Sequence, residues 1–79
     1  MDKHYINRVI AAIDSLETGR RYTWDELAAI LKINKLGSGI IEVAQAYQSK
    51  ILADTSSYPR ILTTNNRKLG WTENDEYVR

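Results

Sequence analysis

Cations, rather than acids or thiols, are the side chains of this chain whose placement points to chemistry. No acidic residue occurs between Asp54 and Glu73, while Arg60, Arg67 and Lys68 all fall inside that interval. From Leu27 to Ile41 the only charges are Lys32 and Lys35. A stretch free of carboxylates favours phosphate contact, because a carboxylate would repel the same anion. Ordinary surface charge with a chance gap is the alternative reading. The formal net charge is only +1, so the distribution of charge and not its total carries the argument. Acids collect elsewhere, at Asp14 and Glu17, at Asp25 and Glu26, and in the tail at Glu73, Asp75 and Glu76.

Other chemistries lack their residues. Without Cys there is no disulfide, thiolate metal site or cysteine nucleophile, which fits a reducing, cytoplasmic setting. His4 is the lone histidine, expected to be exposed in a first helical turn, and no second one completes a metal site. Asp25 and Glu26 are accounted for by a helix start. No catalytic residue, metal or cofactor is therefore expected, and no small-molecule substrate. No apolar run is long enough for a membrane span or a signal sequence.

The elements that must position the cations follow from periodicity. At 79 residues and 43% apolar composition, the chain suits a single folded domain, residues 1–79, whose core is mostly aliphatic because Phe is absent. Ile6, Val9, Ile10, Ile13 and Leu16 share one helical face, which predicts a first helix over Lys3–Glu17 ended by Thr18-Gly19. Arg20-Arg21-Tyr22 reads as a short extended link. Thr23-Trp24-Asp25-Glu26 matches a capping box, so a second helix should run over Trp24–Lys32, with Trp24, Leu27, Ala28 and Leu31 inward. After the break at Asn34 to Gly39, a third helix is expected over Ser38–Ala53. Its inward residues are Ile40, Val43, Ala44, Tyr47, Ile51 and Leu52, and Ser38, Glu42, Gln45, Gln48 and Ser49 face solvent. Tyr58-Pro59 cannot continue a helix. Strands over Arg60–Thr64 and Lys68–Trp71 then flank a tight turn at Asn65-Asn66. Thr72 and the acids after it read as the first turn of another helix, cut short at Arg79, which suggests a C-terminal stub or a domain excised from a longer protein.

Two helices joined by a Gly-containing turn and followed by a basic hairpin make an α+β winged helix-turn-helix, a nucleic-acid-binding order of parts. On that scaffold Gln45, Ser49 and Ser38 can bond base edges or phosphates, or form a plain solvated helix side. Gly37-Ser38-Gly39 can present amides to a phosphate or simply make the turn. Lys35 lies in the same break. Arg67 and Lys68 at the hairpin tip suit backbone phosphates. Trp24, Tyr47 and Trp71 read as core or core-edge residues more readily than as stacking platforms.

The segment Gly19-Arg20-Arg21-Tyr22-Thr23-Trp24-Asp25-Glu26-Leu27-Ala28 resembles the entry to the second helix in the DNA-binding domain of alkylguanine-DNA alkyltransferases and alkyltransferase-like proteins. Tyr58-Pro59-Arg60-Ile61-Leu62-Thr63, with Asn66-Arg67-Lys68-Leu69-Gly70, is similar to that family's active-site segment and the hairpin after it. The resemblance covers about Ile6 to Trp71. It implies a winged helix that places its third helix in the minor groove and holds a flipped base in a pocket beside the wing. Tyr58 stands where the family keeps its acceptor cysteine and Pro59 where it keeps a histidine, so alkyl transfer is excluded on chemistry alone. The family's third-helix arginine has no counterpart, as no Arg occurs between Arg21 and Arg60 and the aligned residues, about Gly39 to Ile41, are small and aliphatic. Trp24 falls on a tyrosine that the family holds near the flipped nucleotide's phosphate, and Arg60 falls on the motif's arginine. Tyr58 itself could stack on a base.

The expected DNA contacts are thus Trp24, Lys35, Ser38, Gln45, Ser49, Tyr58, Arg60, Arg67 and Lys68, with double-stranded DNA as partner and no enzyme activity. The alternative is a protein-interaction module built on the same scaffold.

Overall fold

The structure is a computed structural model that describes residues 2–33, 38–65 and 67–77, without the side chain of Ser38. Its elements are α1 (Lys3–Asp14), β1 (Arg21–Thr23), α2 (Trp24–Ile30), α3 (Ser38–Ala53), a 3-10 turn (Thr55–Ser57), β2 (Arg60–Thr64) and β3 (Lys68–Glu73). The chain is α+β, a winged-helix arrangement of three helices and an antiparallel hairpin. Residues 34–37, Lys35 among them, and Asn66 lie outside the described residues.

The capping box forms as expected. The Glu26 amide donates to Thr23 Oγ1 at 3.1 Å, and the Thr23 amide donates to Glu26 Oε1 at 3.3 Å, which satisfies orphan donors of the first turn of α2. Thr23→Ala is expected to cost about 1 kcal/mol of stability in a urea melt, and an unchanged midpoint would refute the cap's contribution.

The helix ends differ from the expected ones. α2 stops at Ile30 because Lys32 takes a left-handed φ of 60°. Ile33 N–H donates to the Ala28 carbonyl at 2.9 Å and Lys32 N–H to that of Ala29 at 3.0 Å, a Schellman closure with lysine in the usual glycine place. α1 ends at Asp14, three residues short of Glu17. Leu16 turns into the core there at 3% exposure, and the Glu17 amide donates to Tyr22 Oη at 3.0 Å.

The expected extended link is a true strand, so the hairpin belongs to a three-stranded sheet of order β1-β3-β2. β3 pairs with both neighbours: Tyr22 lies opposite Leu69 on one side, and Leu62 lies opposite Trp71 on the other. Those four residues line the inner face and meet Val9 and Ile13 of α1, Leu27 of α2, and Ile40, Ala44 and Ile51 of α3. Leu52, expected inward, is 53% exposed. It sits a third of a turn beyond Ile51, on the outer side of α3. Among the described residues the tail does not start a helix either. Thr72 and Glu73 extend β3 opposite Ile61 and Arg60. Buried Asn74 then clamps the 3-10 region, its side-chain amide donating to the carbonyls of Thr55 and Tyr58, both at 2.8 Å. No helix among the described residues is long and apolar enough to cross a membrane.

Candidate nucleic-acid interface

Gln45 and Ser49 are exposed and one turn apart on α3, so they project together. Next to Gln45 around the helix, on the side away from Ser49, lies Gln48, which is not free in solvent as expected. It is half-buried, and its Oε1 accepts from Thr64 Oγ1 at 2.7 Å. This bond fastens α3 to the end of β2, and the exposed Gln45 and Ser49 lie on the same side of Gln48 around the helix. Ser38 opens α3, but the direction of its side chain lies outside the described residues.

The tip is pinned by Asn65. Its Oδ1 accepts the amides of Arg67 at 2.9 Å and Lys68 at 2.7 Å, and its own amide donates to the Lys68 carbonyl at 2.9 Å. This is an Asx turn, the local bonding that suits asparagine to tight reversals. Arg67 and Lys68 are therefore held at a fixed tip with exposed side chains.

Trp24 requires a correction. It is 4% exposed, and its indole N–H donates to the Asn65 carbonyl at 3.2 Å. A buried ring with its donor engaged cannot stack on a base or reach a phosphate; it joins the start of α2 to the hairpin turn.

Arg60 requires another. Its guanidinium lies 3.9 Å from the Trp71 ring centroid and donates to the carbonyls of Asp14 at 2.8 Å and Leu16 at 3.3 Å, and to Thr18 Oγ1 at 3.1 Å. The cation thus closes the C-terminal end of α1, where helix carbonyls carry partial negative charge. Three of its five N–H donors are thereby engaged within the chain.

Tyr58 is half-buried and lines an open groove between α1 and α3, together with Ile6, Ile10, Val43, Ala46 and Tyr47. Tyr47 donates its hydroxyl to Asp14 Oδ1 at 2.8 Å and sets its ring edge-on to Trp71, with centroids 6.0 Å apart. Burial, followed by that hydrogen bond to Asp14, pushes its pKa up to about 12, so it remains a neutral donor at physiological pH.

One residue escaped the sequence reading. Arg21 lies on the outer face of the sheet, opposite Gly70, and donates to Thr63 Oγ1 across the central strand. Thr23 and Lys68 form the next row of the same face. Its neighbour Arg20 is instead committed to Glu26 at 3.8 Å and to the Tyr22 ring. The doublet Arg20-Arg21 was the available signal, but which of the two is free depends on pairing with a strand that follows much later. Among the described residues no cluster of His, Cys, Asp or Glu could hold a metal.

Comparison of the chain with protein-family models, with curated proteins and with solved structures gave no match in any of the three.

Proposed function

We propose that this chain is a non-catalytic DNA-binding domain that contacts duplex DNA through α3 and the wing. The observation that supports this reading is the Gln48–Thr64 bond, which joins α3, with its exposed Gln45 and Ser49, to the strand that leads to the tip bearing Arg67 and Lys68. The amide and hydroxyl can bond base edges or phosphates, and the two tip cations neutralise phosphates. Arg21 and Lys68 extend the positive surface onto the outer sheet face. Trp24 and Arg60 support the interface from behind and do not touch DNA. In its order of elements and in Tyr58-Pro59-Arg60, the chain reads as a divergent alkyltransferase-like domain, cytoplasmic, with a phenol in place of the acceptor thiolate.

The test is the salt dependence of binding to a random duplex. Log affinity should fall linearly with log salt as condensed counterions are released. Replacing both Arg67 and Lys68 with Ala should weaken binding to every sequence and make that slope shallower by roughly two units, one for each lost phosphate contact. The fold should survive, because both side chains are exposed. A slope unchanged by the double substitution would overturn the wing's role. The apolar groove between α1 and α3 favours a second reading, a surface for protein contact, and it leaves the DNA face unoccupied.

A further inference from the structure

We propose that the groove between α1 and α3 is the interface of a homodimer, in which α3 of one copy packs antiparallel on α3 of a second. The groove has a volume of about 600 Å³ and apolar walls, formed by Ile6 and Ile10 of α1, by Val43, Ala46 and Tyr47 of α3, and by Tyr58. Several of these side chains are only half-buried within one chain, which leaves apolar surface for association to cover. Apolarity alone would admit many occupants. The charges at the rim select one.

Glu42 and Lys50 both border the groove, both are exposed, and neither forms an ion pair among the described residues. They stand four residues to either side of Ala46, about 6 Å along the axis in each direction at 1.5 Å per residue. An antiparallel α3 that crosses at Ala46 brings its Lys50 to Glu42 and its Glu42 to Lys50. A single two-fold rotation therefore makes two ion pairs and leaves no charge opposed, the self-complementarity that an isologous interface demands. A parallel copy would set Glu42 against Glu42. The methyl group of Ala46 at the crossing lets the two backbones approach closely, and α1 of each copy then flanks the α3 of the other. Gln45, Arg67 and Lys68 do not line the groove, and Tyr58, expected from the sequence at the DNA, does.

Sedimentation velocity of the whole chain over a concentration series tests this directly. A concentration-dependent dimer is expected. Glu42→Lys or Lys50→Glu alone sets like charges opposite each other at both symmetric contacts and should raise the dissociation constant at least about tenfold. The double reversal, Glu42→Lys with Lys50→Glu, restores opposite charges in mirrored positions and should recover the original constant within about threefold. Ala46→Arg should abolish association. All three positions are exposed, so unchanged circular dichroism is expected and checks that each variant folds. A chain that stays monomeric to millimolar concentration would overturn the proposal. So would a dimer that is indifferent to the single reversals, or one that the double reversal fails to rescue.

Discussion

Trp71→Ala is expected to cost about 3 to 5 kcal/mol, the usual range for emptying a buried aromatic site. For a chain of 79 residues, whose whole stability lies at roughly 4 to 12 kcal/mol, that loss removes from about a quarter to all of it. The ring is 3% exposed, Arg60 covers one face, and the Tyr47 ring meets it edge-on. Its indole N–H donates to the Ile13 carbonyl at 2.8 Å, a group in the last turn of α1. Trp71→Phe separates the two contributions: it keeps most of the apolar area but orphans that indole bond, and should cost about 1 to 2 kcal/mol. Urea denaturation followed by circular dichroism measures both. A loss below about 1 kcal/mol for the alanine variant would mean that the sheet and α1 are held together by something other than this ring.

Gly70→Ala should follow in size, at about 1 to 3 kcal/mol, for a reason unrelated to helix or strand propensity. A Cβ at Gly70 would stand 2.6 Å from the Arg20 carbonyl oxygen and 3.3 Å from Arg21 Cδ. The first of these is backbone, so β1 itself must move away from β3. The Arg21 side chain would lose its path across the sheet to Thr63. Hydrogen exchange should show the loss concentrated in β1 while the α3 amides change less. Full stability with β1 amides still protected would contradict so close a crossing.

The helices and the hairpin were legible because their causes are local. Thr23 and Glu26 are three residues apart, the apolar face of α3 repeats over four turns, and Asn65 bonds amides two and three positions ahead. What could not be read depends on residues distant in sequence. α1 ends where it does because Trp71 and Arg60 satisfy its final carbonyls, and neither partner is visible from the helix itself. β1 is a strand only because β3 lies beside it. Lys32 gave no sign of the left-handed turn that a glycine would have announced. In the candidate site the exposed pairs, Gln45 with Ser49 and Arg67 with Lys68, were accessible to pattern reading. Arg60 was not, since a cation looks alike in sequence whether it faces a ligand or a neighbouring carbonyl, whereas the periodicity of α2 already placed Trp24 inward, against the DNA role that the resemblance gave it. Tyr58 was found, but its neighbours in the groove come from two helices far upstream.

The strand order β1-β3-β2 also governs when this chain can fold. The central strand is the last of the described elements to be synthesised, and both outer strands depend on it for every ladder bond. A nascent chain that has released only the residues before Lys68 has no sheet to form, and its three helices lack the Trp71 ring that joins α1 to β3. Closure then links residues up to 58 positions apart. Such non-local pairing slows folding and delays it until β3 has been made. During that interval the apolar faces of α1 and α3 are exposed together, and early association with another chain competes with closure of the fold.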